Sequence, residues 1–264
     1  MEIRQLVGRQ DDLMTENDPL SIPRVIGHRG AAGHAPENTI TSLKKAAALG
    51  VRWVEFDTKL TADGDVVMFH DDELDRTTNG SGLIAETALA DLQALDAGLW
   101  FGEAFRGEKV PTLGDTISQL SVLGLGANVE IKPSPGREEE TARAVGEVLR
   151  AEWPESLPRP LVSSFNITVL ETLRDVAPEL ARALLVLKIP RDWQARLEDL
   201  GCTALHAQAK HLKASRIATI KAGGYGLRAF TVNDLAEADR LLAWGVDSVI
   251  SDYPDRLSDL IESI

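Results

Sequence analysis

The chain has a single cysteine, Cys202, so no internal disulfide can form. A disulfide-stapled scaffold is excluded, and a reducing compartment is the natural expectation. No apolar run approaches the roughly 20 residues that a membrane-spanning helix needs. The opening stretch MEIRQLVGRQDDLMTENDPL carries several acids and no continuous apolar segment, so neither a leader nor an anchor is expected there. Basic residues are also scarce: 28 Lys plus Arg stand against 41 Asp plus Glu, a formal net charge of −13. That balance argues against nucleic acid or an anionic membrane surface as a partner. It still permits a small anionic substrate, because one divalent cation and a few Arg or Lys reverse the field locally. The expectation is a cytoplasmic protein with no stable membrane association and no nucleic-acid partner; a homodimer stays open. Internal repeats and low-complexity tracts are absent as well.

What is present is an ordinary globular balance, 44% hydrophobic and 26% charged over 264 residues. Eight short β-like runs punctuate the chain: Arg24–Gly27, Arg52–Thr58, Ala127–Lys132, Pro160–Ser164, Ala183–Leu187, Ala204–Ala207, Leu227–Val232 and Asp247–Ser251. Helical patterns lie between most of them, as over Thr39–Leu49 and Arg137–Glu152. Alternating β and α with largely apolar strands implies an α/β fold on a parallel sheet, and eight such units imply closure into a (β/α)8 barrel. A doubly wound open sheet alternates in the same way. Length suits one barrel, which typically needs about 250 residues. The expected organisation is an N-terminal arm over 1–22 and one barrel domain over 23–264.

Two irregularities break the alternation. Val66–His70 follows the second strand after only LTADGD. A parallel partner needs a crossover of about a dozen residues, so this connection must be a β-hairpin turning at Asp63-Gly64. The hairpin folds His70 back towards Glu55 and Asp57. From Asp71 to about Pro111 the chain is then rich in turn residues (NGSG, DAG, FGEAFRGEK), with one short helix expected near Leu89–Leu95. Loops of that length in a compact domain are usually functional. The segment is read as an insertion at the catalytic mouth.

Four groups of residues carry chemistry. Gly27-His28-Arg29-Gly30 ends the first strand, on the face where barrel active sites sit. His28 suits proton transfer and Arg29 suits a fork on phosphate oxygens. Taken alone, such a pair is more often a loop-capping His and an Arg on a surface carboxylate. Glu55 and Asp57 alternate around Phe56, so both face one side of their strand. Two carboxylates so close repel unless a cation separates them, and hard oxygens suit Mg²⁺ or Ca²⁺. A solvated or Arg-paired couple is the other reading. Glu130 and Lys132 share a face of the next core strand, where they complete a three-carboxylate site and hold a phosphoryl oxygen, or simply pair with each other. His70 supplies a second imidazole beside the acids, or packs as a hydrogen-bonded core histidine. Their joint occurrence at strand ends favours the catalytic readings.

These residues lie in the spans VIGHRGAAGHAPENTITSL, WVEFDTKLTADGDVVMFHDDELDRTTNGSG, NVEIKP, LVSSF and FTVN. In order and spacing they resemble the glycerophosphodiester phosphodiesterase family, most closely its bacterial cytosolic branch, from about Arg24 to Tyr253. The resemblance implies a (β/α)8 barrel that acts on a small glycerophosphodiester, such as glycerophosphocholine or glycerophosphoethanolamine, and releases glycerol 3-phosphate. It implies that Glu55, Asp57 and Glu130 bind one divalent cation, that His28 and His70 are the acid–base pair, and that Arg29 and Lys132 lie near the phosphate. It also points to Glu37 and Asn38, which order the first loop or touch substrate. Trp100 in the insertion covers one end of the substrate or packs into the core.

The chain departs from the family pattern at Phe230, where Trp or Tyr is frequent. An apolar wall remains there without a polar handle. His34 falls in the first loop and is expected to be solvated; His206 ends a strand and is a candidate for the pocket; His211 has no expected role. Two related readings are a phospholipase-like barrel on a lipid headgroup and a non-catalytic binding barrel. The second should have lost an acid or a histidine, and none is lost. An amidohydrolase-type barrel would show His-x-His after the first strand, which is missing.

Overall fold

The computed structural model describes residues 22–261. The expected N-terminal arm lies outside the described residues except for Ile22. The first third of the chain forms β1 (Val25–His28), α1 (Ile40–Ala48), β2 (Trp53–Leu60), β3 (Val66–Met68) and α2 (Leu89–Ala94). Next come α3 (Leu113–Leu123), β4 (Gly126–Ile131), α4 (Glu138–Glu152), β5 (Leu161–Ser164), α5 (Ile167–Val176) and β6 (Ala181–Val186). The chain closes with α6 (Trp193–Leu200), β7 (Ala204–Gln208), α7 (Ala214–Ala222), β8 (Gly226–Phe230), α8 (Leu235–Ala243) and β9 (Ser248–Ser251).

Strands run in the order β1-β9-β8-β7-β6-β5-β4-β2, and β1 pairs with β2 to close the circle. All these pairings are parallel, so the architecture is a (β/α)8 barrel and the open doubly wound sheet is ruled out. The closing register sets Gly27 against Val54 and His28 against Glu55. Helix starts are written locally: Thr39, Asn166 and Asp234 each accept a hydrogen bond from a first-turn N–H, and Thr112 with Asp115 forms a reciprocal capping box.

The period-2 alternation of the strands decides what faces where. Val54, Phe56, Ala127 and Val129 pack outward against Leu43, Leu120 and Val145. On the other side Leu205, Leu227 and Val249 pack outward against Ile217 and Leu241. The residues between them point into the barrel. At its base Ile22, Ile26, Trp53, Leu161, Ala204 and Ile250 make an apolar plug. Glu55 and Asp57, two and four positions beyond Trp53 on the same face, therefore point up the lumen to the mouth.

β3 pairs antiparallel with β2, Thr58 against Met68 and Leu60 against Val66, as connection length required. The strand ends at Met68, and Phe69 continues the hairpin by donating its N–H to Asp57 O at 3.1 Å. Residues 71–111 fold over their own apolar nucleus of Val67, Phe69, Leu74, Ile84, Leu92 and Val110. Its helix, α2, stops one residue short of the expected Leu89–Leu95. The Asp96 carboxylate accepts from the N–H groups of Gly98, Leu99 and Gly107, which sets the turns. Lys59 of β2, itself buried, ties the segment to the barrel through Asp72 at 2.5 Å.

Candidate active site

The chain turns sharply on leaving β1. Gly30 sits at φ 84°, and a Cβ on Gly27 would lie 2.1 Å from Gly30 O, so neither position accepts a side chain. Arg29 and Asn38 are left-handed too, at φ 49° and 54°. Non-glycine residues in that region carry strain, which concentrates at functional sites. The turn presses its backbone onto the acids: Arg29 N donates to Glu55 Oε2 at 3.1 Å, and Gly30 N donates to Glu55 O at 3.2 Å.

Glu55 and Asp57 come from β2 and Glu130 from β4, where the register sets Asp57 against Glu130. All three carboxylates are buried, and one oxygen of each lies within 4.8 Å of the others. Burial, then repulsion from Asp57 and Glu130, drives Glu55 well above the ordinary carboxyl range. Glu130 is pushed up to about 7, again by burial first and by Asp57 second. Asn38 orients Asp57 twice, donating from Nδ2 to Oδ2 at 2.9 Å and accepting from Asp57 N at 3.1 Å. Arg29 Nε stands 3.2 Å from Asp57 Oδ2, and Lys132 Nζ 3.4 Å from Glu130 Oε1. Glu55 Oε1 is buried without a hydrogen-bond partner among the described residues. Three hard oxygen donors that resist ionising together fit one divalent cation.

Both imidazoles flank these acids and are anchored alike. His28 Nδ1 lies 2.5 Å from Asp252 Oδ1, leaving Nε2 directed at the acids, 3.8 Å from Glu55 Oε2. Asp252 is itself fixed by Asn233, which donates from Nδ2 to its second oxygen at 2.8 Å and accepts from its N–H at 2.8 Å. His70 Nδ1 lies 2.5 Å from Asp71 Oδ1. Burial holds the His70 imidazole below its ordinary value, helped by the charges of Arg29 and Lys132 and opposed by Asp57.

A chain of ion pairs then joins His70 to Arg29. Arg76 forks onto Asp71 at 2.6 and 3.0 Å and onto Glu37 at 2.7 and 2.8 Å. Glu37 in turn accepts from Arg29 Nη1 at 2.5 Å. The Arg76 fork carries Asp71 far below the usual carboxylate range. Glu37 is also lowered, because its bonds to Arg76 and Arg29 outweigh burial. Glu37 and Asn38 thus bond to Arg29 and Asp57 respectively.

Phe230 stands at the end of β8 with its ring edge-on to Phe165, 5.9 Å between centroids. Trp100 is 39% exposed, and its contacts lie within the insertion: Nε1 donates to Ala97 O at 2.9 Å and the ring meets Phe101 edge-on. His34 departs from expectation. Its Nε2 lies 2.5 Å from Asp255 Oδ1 and its ring meets Tyr253 edge-on, so the loop histidine is docked rather than solvated. His206 is fully buried in the lumen below the mouth, and His211 ends a 3₁₀ turn. Sequence reasoning missed Asp252, Asn233, Asp71 and Arg76. Asp71 and Arg76 could have been found, since FHDDELDR places an acid beside His70 and an Arg five residues further on.

Comparison with known proteins places this arrangement. The model of the "Glycerophosphoryl diester phosphodiesterase family" matches residues 28–256. A glycerophosphodiester phosphodiesterase of Caldanaerobacter subterraneus subsp. tengcongensis is 35% identical over 242 residues, 90% of this chain and 97% of the relative. One from Bacillus subtilis is 33% identical over 247 residues, 87% of this chain and 83% of the relative. Among solved structures, an Oleispira antarctica phosphodiesterase in complex with the product sn-glycerol-3-phosphate superposes with a TM-score of 0.89 at 47% identity, covering 92% of this chain and 98% of that one.

Proposed function

The chain belongs to the glycerophosphoryl diester phosphodiesterase family, and on that premise we propose that it cleaves glycerophosphodiesters to glycerol 3-phosphate and an alcohol. It is an enzyme, a phosphoric diester hydrolase of that class. Glycerophosphocholine and glycerophosphoethanolamine are the proposed substrates. One observation carries the reading: three buried carboxylates converge between two imidazoles whose Nδ1 atoms are each held by an aspartate. The product seen in the similar Oleispira antarctica structure supports the same substrate class.

Glu55, Asp57 and Glu130 would hold one Mg²⁺ or Ca²⁺, which supplies charge neutralisation for the phosphoryl oxygens. Arg29, oriented by Glu37, and Lys132 bind the same phosphate and favour a more anionic transition state. An aspartate on Nδ1 fixes the tautomer and leaves Nε2 free to exchange a proton. One imidazole accepts the proton of the attacking oxygen, and the other returns one to the departing alkoxide. Burial keeps His70 neutral near pH 7, as a base must be. The attacking oxygen is either the glycerol 2-hydroxyl, through a cyclic phosphate, or water. Phe230 with Phe165 offers an apolar wall at the mouth, and Trp100 covers the alcohol or glycerol end.

No helix among the described residues is long and apolar enough to cross a membrane. A cytoplasmic location and a small soluble substrate fit the single cysteine and the acidic surface. The deciding assay follows glycerol 3-phosphate release from glycerophosphocholine. Release that stops in EDTA and returns with Mg²⁺ or Ca²⁺ supports the reading; no release, or release indifferent to EDTA, overturns it. A trapped cyclic phosphate would identify the glycerol hydroxyl as nucleophile, whereas solvent ¹⁸O in the product with no such intermediate would identify water.

A further inference from the structure

Barrel interiors are usually filled with bulky apolar side chains in layers of four, contributed by alternate strands. Here the base follows that rule and the middle does not. Arg228 is 0% exposed and is the largest fully buried side chain among the described residues. Its flanking residues Leu227 and Ala229 pack outward, so the guanidinium points into the lumen. His206, its register partner on β7, is also 0% exposed and faces inward between the outward-packed Leu205 and Ala207. Among the described residues, Nε and both Nη atoms of Arg228 and both ring nitrogens of His206 have no hydrogen-bond partner.

Followed round the barrel, the strand register sets Asn128 on the level of Arg228 against the opposite wall, with the small Ala183 between them. Ser163, His206 and Glu55 occupy the level next nearer the mouth. Both amide atoms of Asn128 and the hydroxyl of Ser163 are buried and likewise unpartnered among the described residues. On the level below, Ala204 and Ser248 are small, and Trp53 and Leu161 fill the rest. Unmatched polar atoms therefore gather in two adjacent layers, which Ile26 and Ile250 complete, and Ala183 is the short side chain between Arg228 and Asn128.

Donors outnumber acceptors in this group, the acceptors being Asn128 Oδ1, one His206 nitrogen and the Ser163 oxygen. Arg228 brings five N–H donors and Asn128 two, and Ser163 and His206 bring one each. Burial lowers Arg228 to about 10, which leaves it cationic at neutral pH. Burial, then the charge of Arg228, keeps His206 far below its ordinary value and hence neutral. Asp247 acts on Arg228 through its charge but makes no hydrogen bond to it, its carboxylate being engaged with Lys221 at 2.6 Å and with Leu227 N at 2.7 Å. Glu55, against the wall facing His206, is the carboxylate at these levels, and it belongs to the acid cluster above. A buried cation without a counter-charge is costly, and such groups are normally paired.

We propose that the lumen beneath the acid cluster is a binding site for one small inorganic anion, of the size of chloride, held by Arg228, His206, Asn128 and Ser163. The site is separate from the phosphate-binding mouth, and its ligand is structural.

Crystals grown in sodium bromide, with anomalous data collected at the bromine edge, test this directly. The expected result is a bromine peak inside the barrel in contact with the Arg228 guanidinium. Density there with no anomalous signal, the mark of water, overturns the proposal, wherever else bromide binds. In solution, protein prepared in sodium gluconate is melted at constant ionic strength as chloride or bromide replaces gluconate. The wild type should gain about 5–10 °C at halide concentrations some 100-fold above Kd. Arg228→Met should melt at a temperature independent of halide. No halide-specific gain in the wild type, or the same gain in both proteins, refutes the site. Should Arg228→Met fail to fold, the bromide map of the wild type still decides.

Discussion

His28 stands at the end of β1, and its partner Asp252 directly follows β9, the adjacent strand. The third member, Asn233, follows β8, so this half of the site is built on the closed barrel. His70 stands just past the hairpin, and its partner Asp71 is held by Arg76, both from the segment inserted after β3. Arg76 is 45% exposed at its side chain, whereas the Asp252 contacts lie deeper. One hydrogen-bond pattern is thus made in two ways, by a neutral amide on a rigid scaffold and by a charged fork on an excursion. A fork can do what an amide cannot. Arg76 grips Asp71 and Glu37 together, so the placement of His70 and that of Arg29 depend on one guanidinium.

The floor shared by both halves should give the largest effect. Asp57→Asn is expected to lower kcat/KM on the order of 10³-fold or more, with residual activity indifferent to EDTA. The halves themselves are compared by His28→Ala and His70→Ala, each expected to cost roughly 10²–10⁴-fold in kcat with the circular dichroism spectrum unchanged. A near-normal rate for either would break the symmetry and remove that histidine from the chemistry. The supports come next. Asp252→Asn should cost about 10²–10³-fold in kcat with little change in KM, because it sets the wrong tautomer and, of the two imidazoles, touches only His28. Arg76→Lys should cost about 10–100-fold. It should raise KM as well as lower kcat, since a single ammonium cannot span both carboxylates. If Arg76→Lys changed kcat alone, the link through Glu37 to Arg29 would be refuted.

The smallest effect is on stability. Glu130, and Glu55 with it, binds its proton more tightly in the folded state than in the unfolded chain. The folded state therefore holds more protons between about pH 4.5 and 7, and stability falls as pH rises through that window. In EDTA the melting temperature should drop by about 5–10 °C from pH 5 to 7.5. Mg²⁺ or Ca²⁺ should reverse the drop, with a greater gain at pH 7.5 than at pH 5, because protons compete for the same oxygens. A flat profile in EDTA would mean that the acids are not crowded as described.

The acid floor was legible because strand periodicity is local: Glu55, Asp57 and Glu130 declare their face by their neighbours. The hairpin was legible because six residues cannot carry a parallel crossover. Strand ends shifted by one or two residues, as for β2, which runs on to Leu60. Asp252 was not legible. It lies 224 residues from His28, and nothing in ISDYPD distinguishes it from other loop acids until the barrel closes. His34 failed for the same reason, its partner Asp255 being 221 residues away. Arg228 was read as part of an ordinary apolar strand, and its burial depends on the whole lumen around it.

The excursion that carries Asp71 and Arg76 begins and ends at one point. Met68 N donates to Pro111 O at 2.9 Å, and Val67 bridges to Thr112, so its two stems are already clasped. Changing the length of a segment whose ends are held costs little, since closure entropy grows only slowly with length. For an engineer this makes residues 69–111 an exchangeable cassette. A donor cassette that keeps His70, the acid beside it and the forked arginine can reshape this side of the mouth while the acid floor stays untouched.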